Sequence, residues 1–338
     1  MTRERHDIHT HKLTDETVPD SGVYFGRWEI PGVIQRLASS GVALDIIEIV
    51  ADEIGADAHW LDMLRIWSMD TETQRLYLET ESKAAGIDEC CDLMIWPWQE
   101  AYAADDSGGQ IVQWHIDNAH EPYCGPRPLK VYPPLHGVLS VTQARYCAEN
   151  RIPVVAHCSP GGIEGDIDLG AHPDLWLQVL EAVPDLHLCL AHGGGCGQFV
   201  DYCNGKAGAD NWTSAIVNLF ARFPHVYIDT AYHEQAITHP GRYFGAENLD
   251  GMSWFLDTLN DRVLFGSDWP LISDEGVCYS ECVRDLRRNL STEDWDAISM
   301  HNPARFLYRE EEEENRTIRK SRTVDNLVEK TVKNDVSF

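Results

Sequence analysis

VTQARYCAENRIPVVAH, residues 141–157, reads as one structural unit. Val141–Asn150 has the mixed polar and apolar spacing of a surface helix. Ile152–His157 is then a short, nearly continuous apolar run that ends in a histidine. Such a run suits a parallel strand buried on both faces. The same unit recurs along the chain in both directions. Downstream, Pro173–Val183 reads as a helix and Leu186–Ala191 as a strand. Asn211–Phe223 and Leu249–Leu259 read as helices, with strands at Val226–Asp229 and Arg262–Gly266. Upstream, strands are expected at Cys90–Trp98, Gln110–Ile116 and Leu129–Tyr132. With a strand at the N-terminus the count reaches eight. Eight βα units predict an α/β fold of the TIM barrel type, and a doubly wound open sheet is the alternative that strand count leaves open.

Residues 31–86 break the rhythm. Pro31–Ser39, Ala43–Ile54, Asp57–Met69 and Thr71–Ala84 all look helical with no strand between them. They predict a helical insertion after strand one, serving as a lid, an oligomer contact or outer-layer packing. The barrel is therefore assigned to 1–308. A charged tail, 309–338, opens with five glutamates at Glu310–Glu314 and is expected to be mobile or loosely helical.

The chain has 338 residues, 43% of them hydrophobic, and a net charge of −28 from 55 acidic and 27 basic residues. A surface this acidic repels nucleic acid and anionic membranes. No apolar run reaches the roughly 20 residues that a membrane span needs. Met1–Arg5 leads into no apolar segment, so no secretory signal is expected and a cytoplasmic location is. The ten cysteines form no Cys-x-x-Cys pair, which suits reduced thiols.

In a TIM barrel the working residues stand at the C-terminal ends of the strands. Strand one carries Asp7-Ile8-His9-Thr10-His11. Residues i and i+2 of a strand share a side, so His9 and His11 aim two imidazoles at one point. Lys130 lies on the fourth strand, His157 ends the fifth, His192 the sixth, and Asp268 the eighth. Each alone has an ordinary explanation, as a hydrogen-bonded core histidine or a helix cap. Gathered at one end of one barrel, they would be costly to bury without a cation. Imidazole and carboxylate donors suit zinc. Trp96, Trp98, His115, Tyr132, Tyr232, His233 and Trp269 also stand near strand ends. Aromatics at a barrel mouth suit an apolar or ring-containing substrate.

The order His-x-His, Lys-x-Tyr-Pro-Pro, Ala-His, Ala-His-Gly-Gly and Phe-Gly-Ser-Asp-Trp-Pro resembles the amidohydrolase superfamily. It is most similar to the amidohydrolase-related branch of metal-dependent hydrolases and non-oxidative decarboxylases. His301-Asn302-Pro303-Ala304-Arg305-Phe306-Leu307 resembles the ending of that branch. The likeness covers residues 7–17 and about 87–308.

The resemblance implies that His9, His11, His157 and Asp268 bind metal, one zinc ion with manganese as the alternative. It implies that His192 orients or activates water, and that Asp268 exchanges a proton with it. Lys130 falls where some binuclear members carry a carboxylated lysine. In this branch an unmodified lysine, binding a substrate carboxylate or pairing with a structural acid, is the better reading. Trp96, Tyr132 and Trp269 would join it in binding substrate. A water activated by the metal would attack a small amide, ester or lactone. The alternative is decarboxylation of an aromatic or unsaturated acid. The expected partner is a small molecule, neither nucleic acid nor membrane, with homo-oligomer formation left open.

Overall fold

The computed structural model describes residues 4–11, 46–47, 49–50, 53, 71–93, 128–131, 133, 137–160, 169–231, 233, 260–268 and 279–309. Its strands are β1 (His6–His11), β2 (Glu89–Leu93), β3 (Leu129–Val131), β4 (Val154–His157), β5 (Leu188–Ala191), β6 (Val226–Asp229) and β7 (Val263–Leu264). β1 pairs with β2, and β3 to β7 pair in chain order, every pair parallel. The first strand also meets the last. The Ile8 N–H donates to the Phe265 carbonyl at 3.0 Å, and the Ser267 N–H donates to Asp7 Oδ1 at 3.0 Å. A doubly wound sheet reverses its order in the middle and keeps two free edges. Parallel strands in chain order, with the first tied to the last, make a TIM barrel. The strand expected at Gln110–Ile116 lies outside the described residues.

Among the described residues most expected elements recur within a residue or two, and the helix expected at Leu249–Leu259 lies outside them. The helix expected at Val141–Asn150 runs Val141–Glu149. Its Ser140 cap accepts the Gln143 N–H at 3.2 Å, while Gln143 Oε1 accepts the Ser140 N–H at 2.7 Å, a complete capping box. Asn211 caps Trp212–Arg222 through the Ser214 N–H at 2.9 Å. The helix expected over Pro173–Val183 divides into a 3-10 turn, Pro173–Trp176, and an α-helix, Leu177–Ala182. The strand expected over Arg262–Gly266 shortens to Val263–Leu264. Beyond it the Phe265 N–H donates to the Ile298 carbonyl at 2.7 Å and the Gly266 N–H to Thr230 Oγ1 at 3.2 Å, so both leave the ladder. Helices at Cys196–Cys203, Tyr279–Arg288 and Asn302–Tyr308 were not expected from periodicity.

Within 31–86, helix Thr71–Ala85 leads into β2 and packs against Tyr279–Arg288. Ser280 Oγ donates to Glu81 Oε2 at 2.7 Å, and Leu78 joins the outer core. This helix is therefore an outer-layer element on the crossover from β1 to β2. Residues 46–47, 49–50 and 53 are helical. The remainder of 31–70 and residues 310–338, the expected tail, lie outside the described residues.

Strand alternation divides the core into two layers. Val154, Ala156, Leu188, Leu190, Val226, Ile228, Val263 and Phe265 pack outward against the helices. Val155, Cys189, Ala191, Tyr227, Leu264 and Ile8 fill the barrel interior with Phe306 and Leu307. The last two come from helix Asn302–Tyr308, which plugs the N-terminal end of the strands. There His187, just before β5, bonds the Phe306 carbonyl through Nδ1 at 3.0 Å. Asn302 Nδ2 donates to the Val263 carbonyl at 2.7 Å, and Arg305 donates to the Asp261 carbonyl at 3.0 Å. The Asn-Pro-Ala-Arg-Phe ending thus works as a stopper.

Candidate active site

With the N-terminal end plugged, the opposite end is left for chemistry. The inward register that buries Val155 on β4 brings His157 to its C-terminal end, with His157 opposite Ala191 of β5. His192 follows β5 directly. The His157 and His192 rings meet edge to face, centroids 4.8 Å apart. Two of the expected site histidines are therefore neighbours. Asp268 is buried, four residues beyond β7. His9 and His11 are on the backbone of β1, alongside the segment that leads to Asp268. Their side chains lie outside the described residues, as do Trp96, Trp98, His115, Tyr132, Tyr232 and Trp269.

Lys130 is on β3 opposite Val155. Burial lowers its ammonium to about 8, and the carboxylates of Asp268 and Asp229 pull it back up. One cation and two carboxylates therefore share the barrel interior. Of the readings open for Lys130, this environment favours pairing with acids of the protein itself.

Asp229 is a candidate site residue that sequence reasoning passed over. It is buried at the end of β6, and Oδ1 accepts the His192 N–H at 2.8 Å and the Ala231 N–H at 3.2 Å. Its signal was the one used elsewhere, a polar residue ending an apolar strand, but Val-Tyr-Ile-Asp carries no recognisable motif. His233 is placed beside it, its Nε2 bonded to the His192 carbonyl at 2.7 Å. Asp7 was read only as part of the His-x-His run. It is buried, and Oδ2 accepts from the Tyr279 hydroxyl at 2.8 Å while Oδ1 holds Ser267, the neighbour of Asp268.

The backbone is strained where the candidate groups stand. His192 has φ +63° and Asp268 φ +57°, the left-handed region. Holding such residues there costs about 1–3 kcal/mol each and is met by surrounding contacts. The glycines after His192 allow the close packing. A Cβ on Gly193 would come within 3.2 Å of His233 Nε2, and one on Gly194 within 3.0 Å of the Thr213 backbone nitrogen. Gly194 N–H also donates to the Cys158 carbonyl at 3.0 Å, joining this turn to the end of β4.

The thiols beside the site are quiet. Burial, with Asp229 adding to it, raises Cys189 and Cys158 well above the usual thiol range. Neither is a thiolate near neutral pH. The six cysteines with described side chains form no disulfide.

Among the described residues, no three His, Cys, Asp or Glu side chains converge closely enough to hold a metal ion. The donors His157 and Asp268 are of the type that zinc takes, at the right end of the barrel, and His9 and His11 on β1 are of the type that would complete them.

A family model described as "Amidohydrolase" matches residues 126–309. No curated protein matches the chain. Among solved structures, an amidohydrolase from Burkholderia multivorans with bound zinc is 15% identical with a TM-score of 0.45, covering 90% of this chain and 99% of that one. The apo form of Metarhizium anisopliae IDCase is 16% identical with a TM-score of 0.46, covering 91% and 98%. A putative 2-pyrone-4,6-dicarboxylic acid hydrolase from Pseudomonas putida is 12% identical with a TM-score of 0.44, covering 92% and 100%. The family match spans more than half of the chain, and the chain belongs to the amidohydrolase family.

Proposed function

We propose that this amidohydrolase is a metal-dependent hydrolase of small amides, esters or lactones. The observation that carries the reading is the meeting of the His157 and His192 rings at the C-terminal ends of β4 and β5, together with the strained, buried Asp268. In this reading His9, His11, His157 and Asp268 hold one divalent ion, zinc by donor type, with manganese as the alternative. Bound there, the ion would supply Lewis acidity, making water a nucleophile near neutral pH and polarising the scissile carbonyl.

The chain's own residues do the rest. Asp268 accepts a proton from the attacking water at a carboxylate oxygen, the general base role. His192 orients that water and relays the proton from Asp268 to the leaving atom. Lys130 pairs with the buried acids Asp268 and Asp229 and balances their charge. In this reading Trp96, Tyr132 and Trp269 would bind the substrate. The substrate is a small molecule. Neither nucleic acid nor membrane is a partner for a chain of net charge −28, and no described helix is long and apolar enough to cross a membrane. The protein works in the cytoplasm, where reduced thiols persist.

The test is turnover by zinc-loaded and manganese-loaded protein against a panel of esters, lactones, amides and aryl acids. Acid release and carbon dioxide are measured together. Hydrolysis without carbon dioxide, reduced at least about a hundredfold in Asp268→Asn, is expected for loss of a general base. Carbon dioxide without hydrolysis would replace this reading with decarboxylation. Undiminished turnover in Asp268→Asn would remove Asp268 from the chemistry.

A further inference from the structure

We propose that Asp229 and His233 are positioning residues that grip the backbone of His192 from both sides and so set its ring against His157. The inference rests on the reading of His192 as a working residue. The β5–β6 ladder ends with Leu190 opposite Ile228. Two residues further, side chains take over from the ladder. Asp229 Oδ1 accepts the His192 N–H at 2.8 Å, and His233 Nε2 bonds the His192 carbonyl at 2.7 Å. Both polar groups of one residue are thus held by the end of β6 and the turn after it. The residue they hold has φ +63°, a conformation that needs such fixing.

The grip is itself built. A carbonyl only accepts, so His233 Nε2 must carry the proton. Burial keeps that ring neutral by lowering its pKa. Its Nδ1 is then a bare acceptor, and among the described residues it has no hydrogen-bond partner. The ring is backed by the edge of Phe199, centroids 4.9 Å apart, and fills the space that a side chain at Gly193 would need. The His233 N–H donates to the Thr230 carbonyl at 2.8 Å, which fixes the turn. Asp229 is fixed in turn by the Ala231 N–H at 3.2 Å and approached by the Cys189 thiol at 3.9 Å. Lys130 is the cation that feels it.

The experiment uses full-length protein with selectively labelled histidine. Amide hydrogen exchange at His192 and the contact between the His157 and His192 ring protons are read by NMR. The variants are Asp229→Ala, Asp229→Asn, His233→Ala and His233→Gln. Asn keeps the oxygen that accepts from His192, and Gln keeps a donor where Nε2 stands. Exchange at His192 should quicken about ten- to hundredfold in either Ala variant, the equivalent of one hydrogen bond to a charged or buried group. The ring contact should be lost with it. The Asn and Gln variants should restore both. The His187 amide, at the other end of the barrel, serves as the control for general loosening. Unchanged His192 exchange in the Ala variants, failure of Asn and Gln to restore it, or an equal change at His187 would each overturn the proposal. The readout does not depend on turnover. If no hydrolysis is found and the exchange pattern holds, the grip stands and the functional reading fails. If hydrolysis is found, kcat should fall in Asp229→Ala with KM little changed, and Asp229→Asn should recover part of it.

Discussion

Acid should loosen the plugged end of the barrel through one histidine. His187 is 5% exposed, stacked on His225 at 4.6 Å and bonded through Nδ1 to the Phe306 carbonyl. Burial lowers its pKa from 6.5 to about 4. The Phe306 carbonyl and Asp185 oppose that shift, and His225 and Arg309 add to it. The folded pKa lies below the unfolded one, so the unfolded chain takes up the proton first. Stability is fully present above pH 6.5 and is lost as pH falls towards 4. At pH 5, folding should be about 2 kcal/mol weaker through this residue than at pH 7.5. His187→Asn retains an N–H donor near the Nδ1 position and cannot titrate. The assay is urea unfolding of both proteins at pH 7.5, 6.5, 5.5 and 5. The variant should start somewhat less stable at pH 7.5, because the stacked ring is gone, and should lose about 2 kcal/mol less than wild type by pH 5. His6, lowered to about 4 by burial against a smaller opposing pull from Asp88, titrates in both proteins and cancels. Parallel stability curves for the two proteins would refute the argument.

Gly194→Ala should destabilise the turn after β5 by about 2–4 kcal/mol, because a Cβ at φ +89° meets backbone rather than a movable side chain. Its melting temperature should fall, and an unchanged one would contradict the packing. Tyr279→Phe removes the hydroxyl that Asp7 Oδ2 accepts at 2.8 Å inside the protein. It should cost about 1.5–3 kcal/mol in urea unfolding, the range for a hydrogen bond to a charged group. A cost below about 0.5 kcal/mol would mean that Asp7 finds other partners.

Much of the barrel was legible because its strands are buried on both faces. Val226–Asp229 was read with its observed bounds, and β4 and β5 were read two residues long at their starts. Periodicity fails where tertiary bonds decide. Phe265 and Gly266 look like strand, yet their N–H groups turn to Ile298 and Thr230. Pro173 starts a tight turn before the helix that follows it. Among site residues, His157 and His192 were visible because each ends an apolar strand within a recognisable motif, Ala-His and Ala-His-Gly-Gly. Asp229 was not, because an aspartate there resembles an ordinary helix cap. Its part emerges only when Oδ1 is seen on the backbone of a residue 37 positions away. Asp7 was similarly hidden by the histidines that follow it, although it links β1 to the approach to Asp268.

The metal content of wild-type protein beside His157→Ala, each supplied with zinc and then dialysed, tests the central claim most directly. The account predicts close to one ion per chain in wild type and loss of the ion in the variant, with the circular dichroism of the two proteins alike. Equal metal in both proteins, or none retained by wild type, would contradict it.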